Sequence, residues 1–171
     1  MKLELIIPPN PYLGDDKRNA PLGLLYVASI LEKHGFNVGI SDLRGTNYLE
    51  TCKKIRPANI YGITSATPDY PIAKRIAETL KLRDSEANVV LGGIHATSVP
   101  HSIDSIFDRV IIGEGELAIL KVLEDIKNGI KNRFYREKRI DNLDDIPFPA
   151  YNLLPFDSAF SKNAFEVGGL P

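Results

Sequence analysis

Asn88-Val89-Val90-Leu91-Gly92-Gly93-Ile94-His95-Ala96-Thr97 is a short apolar run that stops on two glycines. A run of this length bounded by glycine reads as a buried strand, Asn88 to Gly92. The segments around it repeat the pattern. Upstream, Ile60 to Ala66 is a further apolar strand. Between the two, Asp69 with Pro71 marks a helix start, and Ile72, Ile76, Ala77 and Leu80 form the helix's apolar face. Downstream, a short helical segment begins near Ser98-Val99-Pro100. Asp108 to Ile112 is a strand, and Glu116 to Asn128 a helix faced by Ile119, Val122, Leu123 and Ile126.

The amino-terminal part fits the same scheme. Leu3 to Pro8 is a strand ended by prolines. After the loop Pro9 to Pro21, residues Leu24, Val27, Ala28 and Leu31 fall at helical spacing, with Gly35 where a C-cap belongs. Asn37 to Leu43 is a second strand and Tyr48 to Ile55 a short helix. Five strands that each return through a helix imply an α/β doubly wound sheet of five parallel strands with helices on both faces. Beyond residue 130 the pattern changes. Asn132 to Ile140 reads as an edge strand, and Asp141 to Phe156 holds Pro147, Pro149 and Pro155, so it cannot be one helix. It reads as an extended connector that packs by its aromatics, poorly ordered or docked on a neighbour from Phe148 to Phe156, and Ser161 to Pro171 shows no helical or strand pattern. The expected organisation is a domain over 1–130 followed by edge strand and connector over 131–171.

The 171 residues carry 21 basic and 22 acidic side chains, a net charge of −1. Such a balance argues against nucleic acid as a partner, which needs clustered Lys and Arg. No apolar stretch approaches the ~20 residues that span a bilayer. Met1 to Ile7 carries Glu4 and runs into Pro8-Pro9, unlike the apolar segment of a signal peptide. With Cys52 the only cysteine, a reducing cytoplasm is the expected compartment.

In an open parallel sheet ligands bind beyond the carboxyl ends of the strands. The loops there contain Asn10, Pro11 and Tyr12; Thr64, Ser65 and Ala66; Gly92, Gly93, Ile94 and His95; and Gly113, Glu114, Gly115 and Glu116. Glycine and small hydroxyl residues let a ligand approach the backbone closely. Each has a plainer reading: Gly92-Gly93 as a strand end, Thr64-Ser65 as hydroxyls bonding local backbone. Neither a G-x-G-x-x-G fingerprint after the first strand nor a G-x-x-x-x-G-K-[ST] loop is present. Of the histidines, His34 sits at a helix end beside Gly35, where a cation suits the dipole. His101 is expected at the surface, and His95 alone projects from a candidate loop. Cys52 reads as a small buried filler, and Asp15-Asp16 and Asp144-Asp145 as solvated turns. No metal-ligand spacing and no catalytic constellation is visible.

Together these loops resemble the amino-terminal cobalamin-binding domain of cobalamin-dependent radical SAM enzymes, a group that includes methyltransferases and anaerobic Mg-protoporphyrin monomethyl ester cyclases. The resemblance rests on Pro8-Pro9-Asn10-Pro11, Pro21-Leu22-Gly23-Leu24-Leu25-Tyr26-Val27-Ala28, Gly62-Ile63-Thr64-Ser65, Gly92 to Thr97 and Gly113 to Glu116, in that order. Leu143-Asp144-Asp145-Ile146-Pro147-Phe148-Pro149-Ala150-Tyr151-Asn152-Leu153-Leu154-Pro155 looks like the family's link into the radical SAM barrel. The resemblance implies a flavodoxin-like (Rossmann-like) fold and cobalamin as cofactor, held by the fourteen loop residues just named from Asn10 to Glu116. Methionine-synthase-like relatives place a D-x-H-x-x-G motif after the first strand, its histidine binding cobalt. The loop from Pro9 to Pro21 has no histidine, which implies cobalamin without a histidine at cobalt. The C-x-x-x-C-x-x-C of the 4Fe-4S cluster is absent too. The chain therefore reads as a domain excised from a longer enzyme that uses the cluster and S-adenosylmethionine for methyl transfer or oxidative cyclisation, with the barrel its partner in cis. Alone it is expected to do no radical chemistry.

Small residues at Thr64, Ser65, Gly92 and Gly93 suit the wall of a crevice for the corrin's lower face and nucleotide tail. Gly113 to Glu116 would offer N–H donors at a helix start, with Glu114 and Glu116 turned to the corrin's amides. The main alternative is a flavodoxin-like module for a flavin or nucleotide. Its first loop should be rich in Ser, Thr and Gly, whereas Pro8, Pro9, Pro11 and Pro21 punctuate this one. A receiver-like domain would need an acidic residue where the third strand ends in Thr64-Ser65-Ala66.

Overall fold

The computed structural model describes residues 1–47 and 52–154. Its strands are β1 (Lys2–Ile7), β2 (Asn37–Asp42), β3 (Ile60–Thr64), β4 (Asn88–Gly92), β5 (Arg109–Ile111) and β6 (Phe134–Tyr135). The helices are α1 (Leu22–Lys33), α2 (Tyr70–Arg83), α3 (Ile94–Ser98) and α4 (Gly115–Lys127). All pairings are parallel, in the order β2-β1-β3-β4-β5-β6. The order reverses between β1 and β3, so the loops leaving those strands diverge and open a crevice.

Three expectations need correction. Among the described residues the sheet has six strands rather than five, the sixth being the expected edge strand, cut to Phe134–Tyr135 and paired parallel with β5. The short helical segment expected near Ser98-Val99-Pro100 is a 3-10 turn over Pro100–Ser102, but it is preceded by a helix not expected, α3 from Ile94 to Ser98, so most of the expected loop after Gly93 is helical. The connector packs by Ala150 and Leu154, which are buried in the core, while Phe148 is 95% exposed. Its backbone explains the difference: Ala150 N–H donates to Leu25 O at 3.1 Å and Lys33 Nζ to Asp145 O at 3.0 Å, which ties the segment along α1 and turns Phe148 outward. Of the expected helix Tyr48 to Ile55, residues 48–51 lie outside the described residues and 52–54 are helical. Residues 155–171, with the end of the connector and the tail, also lie outside them.

Side chains alternate across a strand, so each face of the sheet has its own core. Leu3, Leu5, Ile40, Ile60, Val90 and Ile111 pack under α1 and α4. Ile6, Tyr61, Ile63, Val89, Leu91 and Val110 pack under α2 and α3. Among the described residues no helix is long and apolar enough to cross a membrane. His34 hydrogen-bonds Ile30 O through Nδ1 at 2.8 Å, His101 is exposed, and Cys52 is buried.

One charge lies inside the second core. Glu4 is fully buried on β1, where its Oε1 accepts from Ser41 Oγ at 2.5 Å and from Arg56 Nε at 3.0 Å. Arg56 also donates to Ile40 O at 3.0 Å. Gly39 leaves the room: a Cβ there would collide with both Arg56 and Glu4. Glu4 is the buried member while the Arg56 side chain is 53% exposed, so losing the guanidinium leaves a buried carboxylate short of one partner at a cost that solvent partly screens. Arg56→Met is therefore expected to lower stability by about 1 kcal/mol in urea titrations at neutral pH, and Glu4→Gln in the same background to recover part of it. An unchanged midpoint for Arg56→Met would show that the pair contributes nothing.

Candidate functional site

The crevice lies between the α1/α4 layer and the carboxyl half of β1, β3, β4 and β5, with a cavity of about 430 Å³. Strand register builds its floor in two rungs. Leu5, Gly62 and Val90 are lateral neighbours in the first; Thr64 and Gly92 are neighbours in the second, nearer the rim. Glycine therefore stands at one position of each rung where other strands carry a branched side chain. Leu5 leans over Gly62, whose Cβ would lie 2.8 Å from Leu5 Cδ2. Gly92 faces open space, its nearest neighbour being Ile111 Cβ at 3.9 Å. The walls are Leu24 and Val27 of α1 and Ile119 of α4, with Glu114, Gly115 and Glu116 at the mouth.

Two turns fix the rim. Gly93 has φ 95° and ψ −174°, a region only glycine occupies comfortably. A Cβ there would also meet Ser65 O at 2.7 Å. That closeness comes from two backbone bonds that seat Ser65 against the turn, Ser65 N–H to Gly92 O at 3.1 Å and His95 N–H to Ser65 O at 3.1 Å. Gly113, at φ 87°, makes the second turn. Thr97 connects the two: its hydroxyl donates to Gly93 O at 3.0 Å and accepts from Gly113 N–H at 2.9 Å.

The residues expected at the site divide into two groups. Thr64, Gly92, Gly93, Gly113, Glu114, Gly115 and Glu116 line the crevice. Asn10, Pro11, Tyr12, Ser65, Ala66, Ile94 and His95 do not line it. The Asn10 side chain accepts from Tyr12 N–H at 3.1 Å, and Asn10 N–H donates to Asp16 Oδ2 at 3.1 Å. Asp16 also accepts from Gly45 N–H, so it anchors this loop rather than standing in solvent. Pro11 and Tyr12 are exposed, and so is Ile94, at the start of α3. Ser65 turns its hydroxyl to Ala66 O. His95 points away, buried and stacked on Tyr70 with ring centroids 4.1 Å apart, its Nδ1 3.1 Å from Thr67 Oγ1. Burial pushes its imidazole below the ordinary value, toward the neutral form. No group of acidic, histidine or cysteine side chains among the described residues is arranged to hold a metal ion.

Sequence reading left out the apolar lining, Leu5, Leu24, Val27, Val90, Ile111 and Ile119, because an apolar residue facing a cavity looks like any core residue. Gly62 carried a readable signal, since glycine inside a buried strand marks close approach. Thr97 carried none, because its role depends on a partner sixteen residues away.

At the start of α2, Asp69 accepts from Ala66 N–H at 2.8 Å. Burial raises its carboxyl to about 6, against the lowering effect of that hydrogen bond. The folded state thus holds this proton after the unfolded chain has lost it, and the resulting stabilisation fades as pH rises from about 4 through 6. Asp69→Asn keeps an acceptor but cannot ionise, so its melting temperature relative to the parent is expected to increase between pH 4.5 and pH 7. A pH-independent difference would refute the shift. Gly93→Ala, forced into the glycine-only region against Ser65, is expected to cost about 2 kcal/mol or more in the same thermal assay; full stability would contradict the turn geometry.

Comparison with known proteins gives the crevice a context. An uncharacterized methyltransferase of Pyrococcus horikoshii is 32% identical over an alignment covering 100% of this chain and 41% of the relative. The cytidylyl-2-hydroxyethylphosphonate methyltransferase of Streptomyces wedmorensis is 29% identical over 66% of this chain and 26% of its own length. The chain thus spans less than half the length of these relatives. In fold it is similar to the radical S-adenosylmethionine methyltransferase TsrM of Kitasatospora setae, solved with cobalamin and a 4Fe-4S cluster bound, with a TM-score of 0.62 at 21% identity over 75% of this chain and 25% of that one. The model of the B12 binding domain matches residues 17–123, which run from the first loop through β1's neighbours to α4 and include most of the crevice. This chain belongs to the B12-binding domain family.

Proposed function

We propose that this domain binds cobalamin with the nucleotide tail in the crevice and the corrin against the rim, and that it serves a radical SAM methyltransferase in which a barrel follows in cis. The observation that carries the reading is the space over Gly92. Val90 and Ile111 fill their positions on the same face, yet Gly92 leaves the gap open although the backbone there would admit a side chain. At about 430 Å³ the cavity has the size of a ligand pocket. It is small beside a whole corrinoid and suits the tail alone. Exposed Leu22, Ile94 and Leu117 stand at the starts of the helices around the mouth, an apolar edge suited to a macrocycle.

When bound, cobalamin supplies a methyl carrier at cobalt. This chain's own residues contribute placement. Gly92 admits the tail over a floor set by Leu5 and Gly62, Thr64 offers a hydroxyl on the upper rung, and the α4 start presents backbone N–H groups beside Glu116. The residues from 131 onward serve as the connector toward the barrel. Methyl transfer is preferred to oxidative cyclisation because the relatives carry methyltransferase names. A flavin module fits less well. The first loop spends the Tyr12 and Leu13 N–H groups on Asn10 and the Asn10 N–H on Asp16, so they are not free for a phosphate.

Titration with hydroxocobalamin followed by desalting tests the proposal. The parent chain is expected to retain the corrinoid with the absorbance of cobalt lacking a nitrogen base. Gly92→Val, which meets only ordinary contacts, should fold normally and bind at least about 10-fold more weakly, since its side chain occupies the gap. Equal retention by the variant, or retention of flavin instead of cobalamin by the parent, would overturn the reading.

A further inference from the structure

The crevice discriminates by what its floor lacks. Its inner side chains, Leu5, Val90, Ile111, Leu24, Val27 and Ile119, present only carbon. The backbone groups of Leu5, Gly62 and Val90 lie within the paired sheet and are engaged with neighbouring strands. Polar side chains enter only near the mouth: Thr64 on the upper rung, and Glu114 and Glu116 on the segment after β5. Glu114 is further drawn outward, its Oε1 3.5 Å from Arg139 Nε on the surface.

Resting on the proposed binding of the tail in this crevice, we propose that the domain selects corrinoids by their lower base, taking a tail that ends in dimethylbenzimidazole and discriminating against one that ends in adenine. A benzimidazole free of cobalt carries one unalkylated ring nitrogen and an apolar, methylated edge. It can turn that nitrogen toward the Thr64 hydroxyl and bury the rest against Leu5 and Val90. Adenine carries an exocyclic amine and several ring acceptors around its perimeter. Whichever way it enters, polar atoms meet carbon, and an unpaired polar group costs binding when buried. Apolar pockets reject an added polar group by about 100-fold at most, so a graded preference is expected rather than exclusion.

The test compares three corrinoids on the full chain by equilibrium titration: cobalamin, its adenine-tailed counterpart, and cobinamide, which lacks the tail. All three are used as dicyano forms, in which cyanide occupies both faces of cobalt and leaves each tail free. The expected order is cobalamin tightest and the adenine form about 10- to 100-fold weaker. Cobinamide should also bind more weakly than cobalamin. Equal binding of the two tailed forms, both tighter than cobinamide, would overturn base selection while leaving tail binding in place. Equal binding of all three would show that the tail does not enter, and so would overturn the selection as well. Binding of none by a folded chain would defeat the cobalamin reading itself.

Discussion

Space at the carboxyl edge of the sheet depends on two missing side chains. In a doubly wound sheet the helices close over the strands, and branched residues normally fill what lies between. Here Leu5, Val90 and Ile111 do so, while Gly62 and Gly92 interrupt the layer one rung apart. The gap at Gly62 is partly taken by Leu5, which sets the floor; the gap at Gly92 stays open and gives the crevice its depth. The surrounding turns hold that shape. Gly93 is locked against Ser65, and the Thr97 hydroxyl couples the Gly93 turn to the Gly113 turn across two strand ends.

That arrangement separates residues that shape the site from residues that face it. Ser65 and His95 belong to the stretch most readily taken for a ligand loop, yet both hold the turn from behind, and His95 stacks in the opposite layer. Both shape the crevice without lining it. The connector acts at a distance too: by bonding Leu25 O and burying Ala150 and Leu154, residues 147–154 steady α1, one wall of the crevice.

The strands were legible because a parallel sheet buried on both faces demands continuous apolar runs, and Asn88 to Gly92 shows one with its end marked. Helix ends marked by Asp69 and Gly35 were readable for similar local reasons. The edge strand was not placed accurately, because a two-residue pairing has no period to detect. At the site, the glycines and Thr64 could be found from type and position. Which side chains of the following helix would turn inward could not, since α3 starts at once after Gly93 and rotates His95 away. The apolar lining was hidden for a different reason: burial in a core and exposure to a cavity leave the same mark on a sequence.

In the proposed complex a corrinoid's tail enters between the sheet and α1. Methyl resonances of the chain, followed by NMR while dicyanocobalamin is added, report this directly, because an aromatic base shifts the methyls it stacks on. The largest changes are expected at Leu5, Val90 and Ile111, with smaller ones at Val27 and Ile119. Changes confined to rim residues such as Ile94 and Leu117, with the floor methyls unmoved, would contradict that placement of the tail.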